Sequence, residues 1–143
     1  MKAHKKADVG YITNYTVANP AAGAGFVVNA PVGMIWRINS LRFQLVTSVV
    51  VANRTVLVQV FDGADELGSI ISTYVHPASI TAVYSLVDGQ IFPTALFSSN
   101  VGIPWNGRVW VDSGYGLRIL VAFMDGADQI TDIRGRAEAW FAD

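Results

Sequence analysis

The segment LRFQL at residues 41–45 decides the fold, because its leucine and phenylalanine residues alternate with arginine and glutamine. A period of two places the apolar side chains on one face of a β-strand and the polar side chains on the other. The segment TVLVQVF at residues 55–61 is also strongly β-prone, with Val56, Val58 and Val60 on one face. The two segments predict strands that are buried on one side.

The phase of this alternation changes just before residue 41. In IWRI at residues 35–38 the apolar side chains follow a different phase from those of residues 41–45. A strand that keeps both sets on the core side needs an extra residue between them, which is what a β-bulge supplies. We therefore predict a bulge or bend at Asn39 and Ser40.

The rest of the chain repeats short β-prone segments between turns. Further strands are predicted near residues 26–29, 70–75, 80–87, 108–112, 117–123 and 133–141. The turn dipeptides, which favour positive φ, are Asp62-Gly63, Asp88-Gly89, Asn106-Gly107 and Asp125-Gly126. Helical spacing is not sustained over three turns, and a short helical turn is expected only near residues 94–99. The pattern predicts an all-β fold, an antiparallel, jelly-roll-like β-sandwich of about 8–10 strands.

Composition indicates one domain with an unusual apolar load. The chain has 143 residues, of which 52% are hydrophobic and 15% charged, against roughly 25% charged in an average soluble domain. The sequence contains no run of about 18 apolar residues, so a membrane-spanning segment is not predicted. The excess apolar surface is therefore expected to be buried between subunits of a homo-oligomer.

The positive charge is concentrated at the start of the chain. Residues 1–8 contain Lys2, His4, Lys5 and Lys6, whereas residues 9–143 contain seven arginines, ten acids and no lysine. We interpret residues 1–8 as a flexible basic arm and residues 9–143 as the β-sandwich domain. No apolar segment follows the lysines, so a signal peptide is not expected. We expect synthesis in the cytoplasm. The acidic body argues against nucleic-acid binding.

The residue inventory argues against catalysis. The chain has no cysteine, and His76 is the one histidine outside the arm. Lysine is absent from the body, so a Schiff base or a phosphate cradle is not expected there, and no cofactor is predicted. The similar loops at residues 61–67 and 124–130 fit calcium loops or hairpin turns. The turns are favoured, because neither loop has the alternating acids of a dedicated calcium site, and no metal site is predicted.

Two groups of residues are candidates for binding. In residues 134–140, small residues alternate with Arg134, Arg136, Glu138 and Trp140, which share one face and are candidates for an oligomer interface. The alternative is an amphipathic strand that simply closes the sandwich. Trp105, in the predicted turn at residues 104–107, is expected to be exposed and is a candidate for stacking on sugar rings.

The runs GMIWRINSLRFQLVTS (residues 33–48), VANRTV (51–56) and FDG (61–63) together resemble a pattern of small virion proteins of tailed bacteriophages. The nearest functional class is the head decoration, or cement, proteins: small β-sandwiches, often trimers, that brace the major capsid protein from outside. The resemblance covers about residues 30–63 and implies fold more strongly than role.

These observations predict a non-enzymatic capsid decoration protein on the virion surface. Its expected partners are the major capsid protein, contacted by Lys2, His4, Lys5 and Lys6, and further copies of itself, with a trimer favoured. Neither nucleic acid nor a membrane is expected as a partner. The alternative is a carbohydrate-binding or receptor-binding β-sandwich module of a phage tail or fibre.

Overall fold

The structure is a computed structural model that describes residues 10–90, 94–97 (backbone only), 99–105 and 109–142. This part of the chain forms β-strands and contains no helix that could cross a membrane. The strands are β1 (Tyr11–Val17), β2 (Phe26–Val28), β3 (Met34–Val46), β4 (Thr55–Asp62), β5 (Asp65–Ile71), β6 (Thr81–Val87), β7 (Thr94–Phe97), β8 (Asn100–Gly102), β9 (Trp110–Val111), β10 (Tyr115–Ala122) and β11 (Gln129–Phe141).

The strands form two sheets that pack face to face. The larger sheet has the order β1-β11-β3-β6-β8-β7, with β9 also paired to β3, and the smaller sheet has the order β2-β10-β4-β5. The antiparallel pairs β1–β11, β2–β10, β3–β6 and β4–β5 are nested, as in a long hairpin rolled into two layers. The predicted antiparallel, jelly-roll-like β-sandwich is confirmed, although β8 pairs with β6 in parallel.

A β-bulge occurs in β3 where the sequence predicts it. Ser40 pairs with Arg136 and Ile38 pairs with Ala137, which leaves Asn39 as the extra residue. Because the bulge changes the phase of alternation, Ile38 and Leu41 both face the core. For the same reason the polar side chains on either side of the bulge come to lie on the outer face of the larger sheet.

Aromatic rings fill the space between the sheets. The Phe43 ring stacks on that of Tyr84 at 5.3 Å between centroids and meets the Phe26 ring edge-on at 5.4 Å. Leu117 and Ile119 of β10 belong to the same core cluster and are fully buried. Burial of each such side chain contributes about 1.5–3 kcal/mol, so the alternating residues found in the sequence are those that hold the layers together.

Two local expectations need correction. The helical turn expected near residues 94–99 is wrong, because residues 94–97 form β7, which pairs with β8. Positive φ is confirmed at Gly63 and Gly89, but in the turn at residues 123–128 it occurs at Phe123 instead of Gly126. The expected turn at Asn106-Gly107 lies outside the described residues. Pairing with β8 gives this edge strand backbone partners on one side, whereas a single helical turn would leave most of these groups without partners in the chain.

Gly135 allows β11 to lie close to its neighbours. A Cβ atom at this position would overlap the carbonyl oxygen of Ser40 and the hydroxyl of Tyr15. The Tyr15 hydroxyl also donates a 2.8 Å hydrogen bond to the Ser40 carbonyl, so neither atom has freedom to retreat.

We expect Gly135→Ala to lower the free energy of unfolding by about 1–3 kcal/mol, the usual effect of overpacking. Urea unfolding followed by tryptophan fluorescence measures it. Gly68→Ala is the matched control, because a Cβ atom there meets open space. Equal stability of the two variants would contradict the assigned packing.

Candidate interaction surface

The outer face of the larger sheet gathers most of the arginines of the chain. Arg37 and Arg42 come from β3, and Arg134 and Arg136 come from the neighbouring strand β11. Arg134 is paired directly with Arg42 across the two strands, and Glu138 is paired with Arg37. The bulge at Asn39 is what places Arg37 and Arg42, an odd and an even residue, on the same face.

These side chains border an open groove of about 860 Å³, which we call the arginine groove. Its polar lining is Asn14, Thr16, Arg37, Asn39, Ser40, Arg42, Asp88, Arg134 and Arg136. It runs across four adjacent strands, β1, β11, β3 and the end of β6, and therefore has a rigid floor.

The arginines of the groove are only partly neutralised. Arg37 pairs with Glu138 at 3.1 Å between Nη2 and Oε2. Arg42 and Arg134 share one carboxylate, that of Asp132, and its hydrogen bond to Arg42 is the main reason that the pKa of Asp132 lies below its usual value. Salt bridges as exposed as these are worth about 0–1 kcal/mol. They therefore add little stability and leave the guanidinium groups available to another molecule.

The polar atoms at the floor of the groove differ in their hydrogen-bond partners. Arg136 Nε donates to the neutral Asn14 Oδ1 at 3.2 Å. In the described part of the chain, Arg37 Nε and Asn39 Oδ1 are buried atoms that make no hydrogen bond. Buried polar atoms are usually paired, but the indole nitrogens of the core residues Trp36 and Trp105 are unpaired in the same way, so the two atoms do not by themselves mark a binding surface.

A pair of tryptophans adjoins the groove on the same outer face. The rings of Trp110 and Trp140 lie 4.9 Å apart between centroids. Trp110 is 46% exposed, and it is paired with Arg37 of the adjacent strand β3. Gly10, the first described residue, lies so close to Trp140 that a Cβ atom there would overlap the indole ring. The chain therefore enters the fold beside this tryptophan pair.

The structure brings together the residues predicted for an oligomer interface. Arg134, Arg136, Glu138 and Trp140 share the outer face of β11, whereas Ala137 and Ala139 on the other face are fully buried. The predicted division of this strand into two faces is confirmed. Lys2, His4, Lys5 and Lys6 lie outside the described residues.

The expectation that Trp105 is an exposed platform is wrong. Its side chain is 1% exposed and belongs to the core. Val101 and Ile103 are equally buried, so the period of two that begins in β8 continues to Trp105 and turns its ring inward. A carbohydrate site cannot be built on this residue.

Sequence reasoning missed Arg37, Arg42 and Trp110 as members of the surface. The predicted bulge could have identified both arginines, because a phase change between residues 37 and 42 puts their side chains on one face of the strand. Their proximity to β11 depends on strand order, which the alternation does not reveal. Trp110 lies in a two-residue strand whose partner is β3.

The opposite end of the molecule is formed by loops around a buried ion pair. Arg54 Nε and Asp128 Oδ2 lie 2.7 Å apart, and both side chains are 0% exposed. Burial alone would raise the pKa of Asp128. Hydrogen bonds from the Arg54 guanidinium and from the backbone N–H groups of Ser48 and Asp125 outweigh this effect, and they hold its pKa below the usual value. The pair joins the β3–β4 loop to the β10–β11 loop.

The loops held by this ion pair carry exposed apolar side chains. Val49, Val51 and Phe123 project from the two loops and are 81%, 91% and 79% exposed. Phe123 also has a φ of 57°, which is uncommon for a residue other than glycine. These residues form the loop end, a second apolar surface distant from the tryptophan pair.

His76 lies in the core beneath these loops. Its Nε2 is 3.0 Å from the Ile80 carbonyl oxygen and its Nδ1 is 3.0 Å from the Tyr84 hydroxyl. A carbonyl oxygen only accepts, so Nε2 carries the proton and Nδ1 accepts from Tyr84. Burial lowers the pKa of the ring. With both nitrogens bonded and no exposed surface, His76 is not placed to act as a general base.

The acidic loop at residues 124–130 has a structural arrangement. Asp125 Oδ1 accepts hydrogen bonds from Ala127 N and from Ser48 Oγ, both at 3.0 Å, and Asp128 holds Arg54. Within residues 10–90, 94–97, 99–105 and 109–142, no three histidine, aspartate or glutamate side chains are grouped to hold a metal ion.

Comparison with known proteins does not assign the chain to a family. No protein-family model matches the sequence, and no curated protein matches it.

Proposed function

We propose that this protein is a non-enzymatic structural protein that binds other protein subunits, and that it decorates the outer surface of a bacteriophage head. The observation that carries the proposal is the composition of the outer face, where two tryptophans lie beside four arginines. Tryptophan and arginine are the residues most enriched at energetically important positions of protein interfaces, whereas lysine is depleted there. The resemblance of residues 30–63 to phage virion proteins supports the capsid as the site of assembly.

The proposed contact with the major capsid protein is the tryptophan pair together with the basic arm. Gly10 packs on Trp140, and Lys2, His4, Lys5 and Lys6 precede Gly10 in the sequence. An aromatic anchor next to a sequence segment rich in cations suits an acidic, partly apolar protein surface. The rigid sheet beneath the tryptophan pair would allow the protein to brace adjoining capsid subunits.

The tryptophan pair also supports a second candidate, carbohydrate binding. Exposed indole rings stack on sugar rings. Trp110 replaces Trp105 as the candidate for this role. The Arg37–Glu138 pair beside it supplies charged groups for hydrogen bonds to hydroxyls.

Binding to phage heads that lack their decoration protein tests the proposal. We expect the wild type to co-sediment with such heads saturably, and Trp110→Ala to weaken binding at least tenfold, because truncation of an interface tryptophan often costs 2 kcal/mol or more. Phe123→Ala is the matched control, since it removes an exposed aromatic ring at the loop end.

Absence of saturable co-sedimentation would contradict the decoration proposal. Retention of the wild type on bacterial surface polysaccharide, with loss of retention on Trp110→Ala, would support the carbohydrate-binding candidate in its place. Equal weakening by Trp110→Ala and Phe123→Ala would contradict the assignment of the contact to the outer face.

A further inference from the structure

Four acidic side chains lie in the other layer of the sandwich from the arginine groove. Asp62, Asp65 and Glu66 lie in and beside the β4–β5 hairpin, at the edge of the smaller sheet. Asp112 lies in the adjacent turn, which is joined to the hairpin by the 2.9 Å hydrogen bond from Gly63 N to Gly114 O. We call this group the acidic hairpin, and it belongs to the opposite layer of the sandwich from the groove.

Only part of the acidic hairpin is free to bind, because Asp112 Oδ1 already accepts hydrogen bonds from Gly114 N at 2.6 Å and Tyr115 N at 2.7 Å. Asp65 and Glu66 are both exposed, and Glu66 Oε2 accepts a hydrogen bond from the neutral Gln59 amide at 2.9 Å. The hairpin backbone is fixed by pairing of β4 with both β10 and β5. Its carboxylates are therefore presented on a rigid support.

The groove has an excess of positive charge. Four arginines line the groove against one acid of the lining, Asp88, and two acids paired to them, Asp132 and Glu138, which leaves an excess of one positive charge. Arg136 has a neutral partner in Asn14. Guanidinium groups bind carboxylates through two parallel hydrogen bonds, and such charge-assisted bonds are about twice as strong as neutral ones. The groove is thus complementary to a projecting segment with several carboxylates.

We propose that the arginine groove binds the acidic hairpin of a second copy of this chain. Asp65 and Glu66 of one protomer would pair with Arg134 and Arg136 of the next. This inference rests on the proposed function, because it assigns part of the outer face to contacts between subunits. Two different surfaces meet in such a contact, which is therefore heterologous, and heterologous contacts close into rings when the rotation permits. A ring of three protomers would agree with the trimer favoured by the sequence analysis.

A mixing experiment distinguishes this contact from any other. The groove variant is Arg134→Gln with Arg136→Gln, and the hairpin variant is Asp65→Asn with Glu66→Gln. We expect light scattering to show an oligomer for the wild type. Each variant alone should associate at least tenfold more weakly and approach the 15.4 kDa monomer. An equimolar mixture should form a dimer, because the intact hairpin of one variant meets the intact groove of the other.

The control carries Ala22→Glu with Thr73→Glu, which changes the net charge as the groove variant does but at exposed positions outside both surfaces. We expect its mass to equal that of the wild type. Wild-type mass for the groove variant, or failure of the mixture to dimerise when both variants are folded, would overturn the inference. A monomeric wild type would also overturn it. Saturable binding of that monomer to heads would show that the proposed function survives.

Discussion

Asp128→Asn is expected to lower the free energy of unfolding by about 3–5 kcal/mol, the range seen when one partner of a buried ion pair is removed. Asparagine has nearly the shape of aspartate, so the change leaves the Arg54 guanidinium buried without a compensating charge. The same carboxylate accepts hydrogen bonds from Ser48 N and Asp125 N, both at 2.8 Å. Its neutralisation therefore weakens the junction between two loops as well as the ion pair.

Urea unfolding at pH 7 measures this loss, and Asp132→Asn is the matched control. Asp132 also pairs with arginines, but its side chain is 41% exposed, so we expect a change of about 0–1 kcal/mol. A loss from Asp128→Asn no larger than that from Asp132→Asn would show that the buried pair does not stabilise the fold.

The pH dependence of stability gives an independent readout of the same pair. Because the pKa of Asp128 is lower in the folded state than the usual 3.8, its contribution is fully present above that value. The contribution is lost as the pH falls through the folded pKa. We expect the wild type to lose stability below about pH 4 more steeply than Asp128→Asn does. His76 is present in both proteins, so losses that begin near its usual pKa are largely common to both.

Trp105→Ala is expected to lower the free energy of unfolding by about 3–5 kcal/mol, as large-to-small changes of buried aromatic residues do. The side chain is among the largest that are fully buried. Its backbone is also held, by the 2.6 Å hydrogen bond from Trp105 N to Gln90 O. The backbone of residue 105 is thus held in place while alanine leaves a cavity beside it.

Trp110→Ala is the matched control for this change, since it deletes the same side chain from a position that is 46% exposed. We expect a loss of less than half that of Trp105→Ala, measured by thermal unfolding followed by circular dichroism. The two variants would then differ in what they change: Trp105→Ala lowers the stability of the fold, and Trp110→Ala weakens binding to phage heads. A stable Trp105→Ala protein would contradict the buried position of this ring.

Much of the architecture follows from local patterns. Alternation in residues 41–45 and 55–61 identifies strands and core residues, because a strand can bury only every second side chain. The phase change at Asn39 identifies the bulge for the same reason, and Gly63 and Gly89 mark turns by their tolerance of positive φ.

The surface could be predicted only in part. Arg134, Arg136, Glu138 and Trp140 are neighbours within one strand, so period two alone places them on one face. The two arginines of β3 and Trp110 join them through pairing with strands that are distant in the sequence. Burial of Trp105 likewise depends on which element covers it, and a local turn signature contains no information about that.

The sequence by itself determined the β-sandwich class, the bulge, and the two faces of β11, since each depends on side chains a few residues apart. Only the tertiary structure decided which strands lie side by side. That choice assembled the arginine groove, joined Arg54 to Asp128 across 74 residues, and placed the acidic hairpin on the opposite layer. The physical reason is that hydrophobic burial is nondirectional and fixes which side chains face inward. Salt bridges, in contrast, form only when the final packing of the sheets brings the charged atoms within a few ångströms of each other.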